Sequence, residues 1–130
     1  MRKMKPEELI ALLRQLADAD LHFIDLRGLD LSGLHFSGLV LNSADFGNAN
    51  LKQTNFIGSQ VRAVRFSQAD LREADFTGAN LNGSSFGVVS GSEEVASLSR
   101  TSFKHADLTG TVFQNLDFRE ADITGGKFSG

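Results

Sequence analysis

Residues 67–86 read SQADLREADFTGANLNGSSF, four blocks of five that close on Leu71, Phe76, Leu81 and Phe86, with Ala69, Ala74, Ala79 and Ser84 two places before each. A period of five fits neither regular element. An α-helix turns about 100° per residue, so successive block ends drift by about 140° and share no face. A straight strand sends them to alternate faces, because five is odd. All four large residues can be buried together only if the chain bends once per block. A chain that bends the same way each time winds into a coil. The large residue and the small one two before it have the same parity, so both face the axis. The other three positions of each block are free to be polar.

The repeat must be traced before any other reading, since it decides the fold. Central residues fall in unbroken phase at Leu21, Leu26, Leu31, Phe36, Leu41, Phe46, Leu51, Phe56, Val61, Phe66, Leu71, Phe76, Leu81 and Phe86. A second run follows at Phe103, Leu108, Phe113, Phe118, Ile123 and Phe128. The runs are out of phase. From Phe36 to Phe86 every second centre is Phe, and ASLSR (96–100), centred on Leu98, restores that alternation through Phe113. An extra loop is therefore expected at residues 87–95 (GVVSGSEEV), about seven residues beyond what the repeat needs.

Blocks such as ADFGN (44–48), ANLKQ (49–53), ADLRE (69–73), ADFTG (74–78), ANLNG (79–83) and ADLTG (106–110) follow the pattern Ala-(Asp/Asn)-Leu-X-X. In this the sequence resembles the pentapeptide-repeat proteins, over residues 19–130. The resemblance implies an all-β solenoid, a right-handed quadrilateral β-helix with four blocks per coil and one block per side. About five coils are expected, and with strand spacing of ~4.8 Å the rod is about 25 Å long. Ile24, Leu29, Leu34 and Leu39 depart from the motif by filling the small-residue position, which suggests a fatter first coil beside a cap. Phe takes alternate blocks of a four-sided coil, so it should stack on two opposite walls, with Leu lining the other two. Phe118, Ile123 and Phe128 break that alternation, so the last coil should pack differently.

Residues 1–18 are read as a separate capping segment. Pro6 suits a first helical turn, Glu7 and Glu8 complement its dipole, and Leu9, Leu13 and Leu16 share a face. A helix over residues 6–18 would cover the open first coil, whose apolar core and unpaired backbone need a cap. At the other end GGKFSG offers no such cover. The terminal coil is expected either to self-associate with two-fold symmetry through Phe118, Ile123 and Phe128, or to fold its last side chains over the end.

Composition limits function more than it assigns it. A net charge of −3 argues against non-specific nucleic-acid binding. There is no cysteine, hence no disulfide or thiolate chemistry. The apolar run near the N-terminus is interrupted by charge, so neither a signal peptide nor a membrane span is expected, and the cytoplasm is the default compartment. Asp recurs just before the centres, at 20, 25, 30, 45, 70, 75, 107, 117 and 122. Paired carboxylates can serve acid–base or metal chemistry. A short acceptor beside each corner, bonding nearby backbone N–H groups, explains the column better. His22, His35 and His105 share no metal-ligand spacing. The chain is expected to be no enzyme and to need no cofactor or metal.

Two surface features remain. With four blocks per coil, Lys52, Arg72 and Arg119 fall on one side, with Arg100 close to that column and acids interleaved, which is a solvated charge ladder or a docking face. The loop, with Ser90, Gly91, Ser92, Glu93 and Glu94, is either a tolerated insertion or a partner-binding element. The reading is a non-catalytic scaffold that binds another protein, with repeats like those of cyanobacterial members of the family. The alternative is a DNA mimic directed at DNA gyrase or topoisomerase IV, as in the quinolone-resistance members.

Overall fold

The computed structural model describes Glu8, Leu9, Ala11 and Gln15 and residues 23–86, 97–113 and 120–128. Within these the chain does what a five-residue period requires. Each block contributes one short extended step and one corner. Residues one coil apart pair in parallel, Asp25 with Asp45, Asp30 with Asn50, His35 with Asn55 and Val40 with Gln60, and so on along the rod. Consecutive blocks therefore meet partners twenty residues on, and four sides complete one turn.

Each side is tied to the next coil by two backbone bonds. The N–H of a central residue donates to the carbonyl before the next centre, as Leu51 to Asp70 at 2.8 Å, and the N–H of that second residue donates back, as Asp70 to Ala49 at 3.0 Å. The corner adds a third, as Gln53 to Arg72 at 3.0 Å. Such a ladder satisfies the backbone of an interior coil from both sides.

All corners among the described residues share one geometry. The second residue after the centre is left-handed, whether glycine, as Gly78 at φ 67°, or not, as Gln53 at 59° and Glu73 at 63°. At most of them the N–H of the next residue closes on the carbonyl of the centre, as Ala49 to Phe46 at 3.0 Å, while between Val61 and Val64 the Ser84 hydroxyl bridges the two groups. Positive φ at the third of four residues is the signature of a type II turn.

The interior is built by the central and small residues. Phe36, Phe56, Phe76 and Phe103 form one stack, with centroids 4.8, 4.6 and 5.4 Å apart. Phe46, Phe66, Phe86 and Phe113 form the second, at 5.5, 4.8 and 5.2 Å. The two stacks meet edge to face, as Phe66 against Phe76 at 5.6 Å and 85°. Offset stacks joined edge to face suit the ring quadrupole on both counts. Leu31, Leu51, Leu71 and Leu98 line one remaining wall, and Leu41, Val61, Leu81 and Leu108 the other, all buried. The alternation of Phe with Leu or Val along the sequence is thus an alternation of walls.

Small positions hold Ala44, Ala49, Ala69, Ala74, Ala79 and Ala106, all buried. Where a hydroxyl replaces Ala it bonds a carbonyl, as Thr54 to Leu51 and Ser59 to Phe56, both at 2.7 Å. Ile24, Leu29, Leu34 and Leu39, too large for the small-residue column, are only partly buried against the core.

The two ends differ. Glu8, Leu9, Ala11 and Gln15 are helical, and Leu9 is buried with the core. The rest of the expected helix lies outside the described residues. At the other end Asp122 pairs with Ser102 and Lys127 with Asp107, which places Ile123 over Phe103 and Phe128 over Leu108. The aromatic stack over Phe103 ends there. Ile123 and Phe128 are 44% and 48% exposed.

Candidate functional site

The outward surface divides into a structural set of side chains and a few that the ladder does not use. The structural set is the Asp/Asn column. Asp25, Asp30, Asp45, Asn50, Asn55, Asp70, Asp75, Asn80, Asp107 and Asp122 each accept through Oδ1 the N–H two residues on, at 2.9 to 3.2 Å. That N–H opens the corner and has no rung to join, so the side chain supplies its acceptor. Most of these carboxylates are further held by a neighbour. Hydrogen bonds from the Arg27 side chain draw the Asp25 pKa down to about 2. The Ser32 hydroxyl does the same in direction for Asp30, the Arg72 guanidinium for Asp70, and Thr124 for Asp122. A carboxylate so held is a poor proton shuttle at neutral pH. Among the described residues no group of His, Asp and Glu is arranged to hold a metal ion.

The basic column is partly assembled. Gln53 bonds Arg72, and Glu73 bonds Ser99, across successive coils. Lys52 and Arg72 are therefore neighbours, and Ser99 continues their column. Arg100 sits one place further, on the corner above Glu73. Arg72 forms a fork with Asp70, Nε to Oδ1 at 2.9 Å and Nη2 to Oδ2 at 2.6 Å. Arg100 lies 4.0 Å from Glu120, which also accepts the Ser99 hydroxyl at 2.6 Å. These pairs are exposed and contribute at most about 1 kcal/mol each. Ser32, Asn50, Lys52, Gln53, Arg72 and Glu73 line a shallow depression on this side. Arg119 lies outside the described residues.

The loop residues Ser90, Gly91, Ser92, Glu93 and Glu94 lie outside them too, but the ladder registers the insertion. Asp70 pairs with Ser97, Asp75 with Ser102 and Asn80 with Asp107, twenty-seven residues apart instead of twenty. The excess of seven falls between Phe86 and Ser97, and the phase is restored beyond it. Of the three residues expected at the self-association end, Ile123 and Phe128 share the exposed terminal coil, and Phe118 lies outside the described residues.

A second depression was not expected from the sequence. Phe23, Asp25, Arg27, Ser43, Asp45, Ala63 and Arg65 line it. Phe23 is 79% exposed and holds a left-handed φ of 63°. It is one of eleven Phe, and the other ten are block centres. The signal was there: an aromatic residue stands at the corner position that other blocks give to glycine or to small and polar residues.

The sequence profile for the pentapeptide repeat region matches residues 15–93, and that for pentapeptide repeats, in eight copies, matches residues 96–130. Compared with curated proteins the chain has no match. Among solved structures it is similar to a pentapeptide repeat protein of the Arabidopsis thaliana thylakoid lumen, at 32% identity and a TM-score of 0.70, over 86% of this chain and 70% of that one. Two others are more distant. HetL, a pentapeptide repeat protein involved in heterocyst differentiation regulation from Nostoc sp. strain PCC 7120, has 15% identity and a TM-score of 0.37, over 98% and 94% of the two chains. QnrB1, a plasmid-mediated fluoroquinolone resistance protein, has 24% identity and a TM-score of 0.34, over 78% and 58%. The twenty-residue coil, the paired Phe stacks and both profile matches make this chain a member of the pentapeptide repeat family, whose proteins form right-handed quadrilateral β-helices.

Proposed function

We propose that the chain is a non-catalytic scaffold that binds another protein and works in the cytoplasm. The observation that supports this best is how the reactive-looking groups are used. The carboxylate column is committed to corner N–H groups, and the interior is filled by the Phe stacks. What remains for function is a rigid rod whose outward side chains recur at a fixed spacing of ~4.8 Å. The helix that includes Leu9 caps its first coil. The exposed Ile123 and Phe128 are the contact through which two rods pair end to end. The rod itself has about five coils.

Removal of residues 89–95 restores the five-residue phase and gives the cleanest test. The full rod, immobilised, should retain a partner from cytosol that the loop-deleted rod does not, with both melting at similar temperatures. Retention by both would move the contact from the loop to the rod surface. Steady turnover of a substrate that Asp25→Asn or Asp70→Asn abolishes would overturn the non-catalytic reading.

The DNA-mimic reading has one feature in its favour, the seven-residue excess that interrupts an otherwise regular ladder. The cations of Lys52, Arg72 and Arg100 on one side count against it. Supercoiling by gyrase, with and without a quinolone, decides it. Inhibition or protection at micromolar protein that the loop deletion weakens would favour the mimic. No effect at large excess would remove it.

A further inference from the structure

We propose that the corner around Phe23 is a docking site for an extended acidic segment of a partner protein, one that carries a carboxylate close to an apolar side chain. The inference rests on the scaffold reading and specifies the partner's chemistry. Three observations carry it.

The first is Phe23 itself. A bulky residue at positive φ is an outlier for L-amino acids, and elsewhere on the rod glycine, serine, alanine or a polar residue takes that place, His105 being the one other ring among the described corners. The ring repays nothing to the core, being 79% exposed, while no other described large apolar residue is more than about half exposed. Strain held at an exposed position points to a role other than folding.

The second is what lies beside it. The corners two and one coils away carry Ala63 and Ser43, so the floor of the depression is flat and small. A ring at one end and a flat floor two coil spacings long, about 10 Å, suit a short extended chain laid along the rod.

The third is charge. Within the depression Asp25 is held by Arg27, with Nη2 to Oδ2 at 2.9 Å, and Asp45 accepts the Gly47 N–H at 2.9 Å. Arg62 and Arg65, both exposed, flank Ala63 and the buried Val64, and neither guanidinium has an ion pair among the described residues. Two forked donors two coil spacings from the ring, about 10 Å along the floor, favour an extended segment with a carboxylate about three residues from an apolar side chain. Two cations unpaired among the described residues and one ring, with Asp25 and Asp45 between them, are too few and too mixed for a membrane surface.

The test uses the full chain against an array of decapeptides in which acidic and apolar positions are varied independently. A labelled copy of the best peptide is then titrated into the wild type, Phe23→Gly, Arg65→Glu and Arg62→Glu. Vesicles containing phosphatidylserine serve as the competing probe. Peptides pairing Asp or Glu with Leu or Phe should dominate. Phe23→Gly and Arg65→Glu should each weaken binding by at least about tenfold, and Arg62→Glu by less. Phe23→Gly should also raise the melting temperature, by about 3–6 °C, because it relieves the left-handed strain. Loss of binding together with a gain in stability is a combination that a packing role for Phe23 would not give. The proposal is overturned if acid-free peptides are selected, if vesicles bind and peptides do not, or if Phe23→Gly lowers the melting temperature. Peptide binding that all three variants leave intact also overturns it, and then the scaffold reading stands with its contact elsewhere.

Discussion

The middle of the rod and its C-terminal coil are built from the same five-residue unit, yet the same residue type is worth different amounts in each. Phe66 has rings stacked above and below it, Phe46 at 5.5 Å and Phe86 at 4.8 Å, and two more edge-on, Phe56 at 6.3 Å and Phe76 at 5.6 Å. It is 0% exposed. Phe128 sits over Leu108 with no coil beyond it among the described residues, and is 48% exposed. In a solenoid each unit contacts only its neighbours along the rod. A central residue therefore gains its full burial only where a coil lies on both sides. The end coil keeps the backbone geometry of the repeat and lacks half of its packing.

The largest expected effect tests that contrast directly. Phe66→Ala should cost about 3–5 kcal/mol, since it opens a cavity in both stacks at once. In an unpaired rod Phe128→Ala should cost under about 1.5 kcal/mol, as half the ring is already in water. Urea unfolding followed by circular dichroism measures both. Equal losses would mean that the terminal coil is buried in solution, which is what the proposed end-to-end pairing requires. Sedimentation of Phe128→Glu would then show monomers where the wild type forms dimers.

The next effect concerns a buried hydroxyl. Ser84 stands in the small-residue column, where it accepts the Val64 N–H at 3.0 Å and donates to the Val61 carbonyl. Ser84→Ala should lose about 1–3 kcal/mol, because a fully buried N–H loses its acceptor. Ala79→Ser, one block earlier, should not gain the same amount, as its N–H already closes on the Phe76 carbonyl at 3.0 Å. A Ser84→Ala protein as stable as wild type would show that Val64 and Val61 find other partners when the coil relaxes.

Much of this was legible in the sequence, and the reason is physical. A period of five admits few folds, so the large centres at Leu26 through Phe86 implied the coil, and the alternation of Phe and Leu implied the two aromatic walls. The corner role of the Asp/Asn column followed from its chemistry. The shift in phase placed the insertion between Phe86 and Leu98, and the ladder agrees. The outward positions were harder. They do not pack, so no periodicity constrains them, and only the structure separates Arg72, fixed in a fork with Asp70, from Arg65, which has no such partner among the described residues. Arg100 stands one residue off the Lys52 column, on the corner above Glu73. The exposure of Phe23 shows only as a departure from the corner rule, which becomes legible once the block centres are assigned.

A pH titration extends the comparison to the surface. Asp25 has its folded pKa lowered from 3.8 to about 2, and those of Asp30, Asp70, Asp107 and Asp122 are lowered too. A depressed folded pKa means stability that is present above the unfolded value and lost as pH falls through the folded one. The urea midpoint should thus hold from pH 7 to about 5 and fall steadily below about 4. Asp70→Asn, in the middle of the rod, should flatten that fall more than Asp122→Asn at its end. The fork to Arg72 is closer than the Lys104–Asp122 contact, 2.6 Å against 3.5 Å.

The smallest effect isolates the corner from everything else. Gly83 and Gly125 have φ near 70°, and they differ in what a Cβ would meet. At Gly83 it would find nothing within 4 Å. Gly83→Ala should then cost only the left-handed strain of an L-residue, about 1 kcal/mol. At Gly125 the same atom would lie 2.7 Å from Cε1 of His105, so the imidazole has to swing away. If the end coil is as ordered as the middle, Gly125→Ala costs more than Gly83→Ala. If the end coil yields, the ring moves without loss and the two costs converge on the strain alone. His105→Ala in the Gly125→Ala background separates the cases, because it removes the obstacle and leaves the strain. Restored stability in the double variant would show a terminal coil held firmly enough to resist its own side chains, and therefore firm enough to present Ile123 and Phe128 as a defined surface.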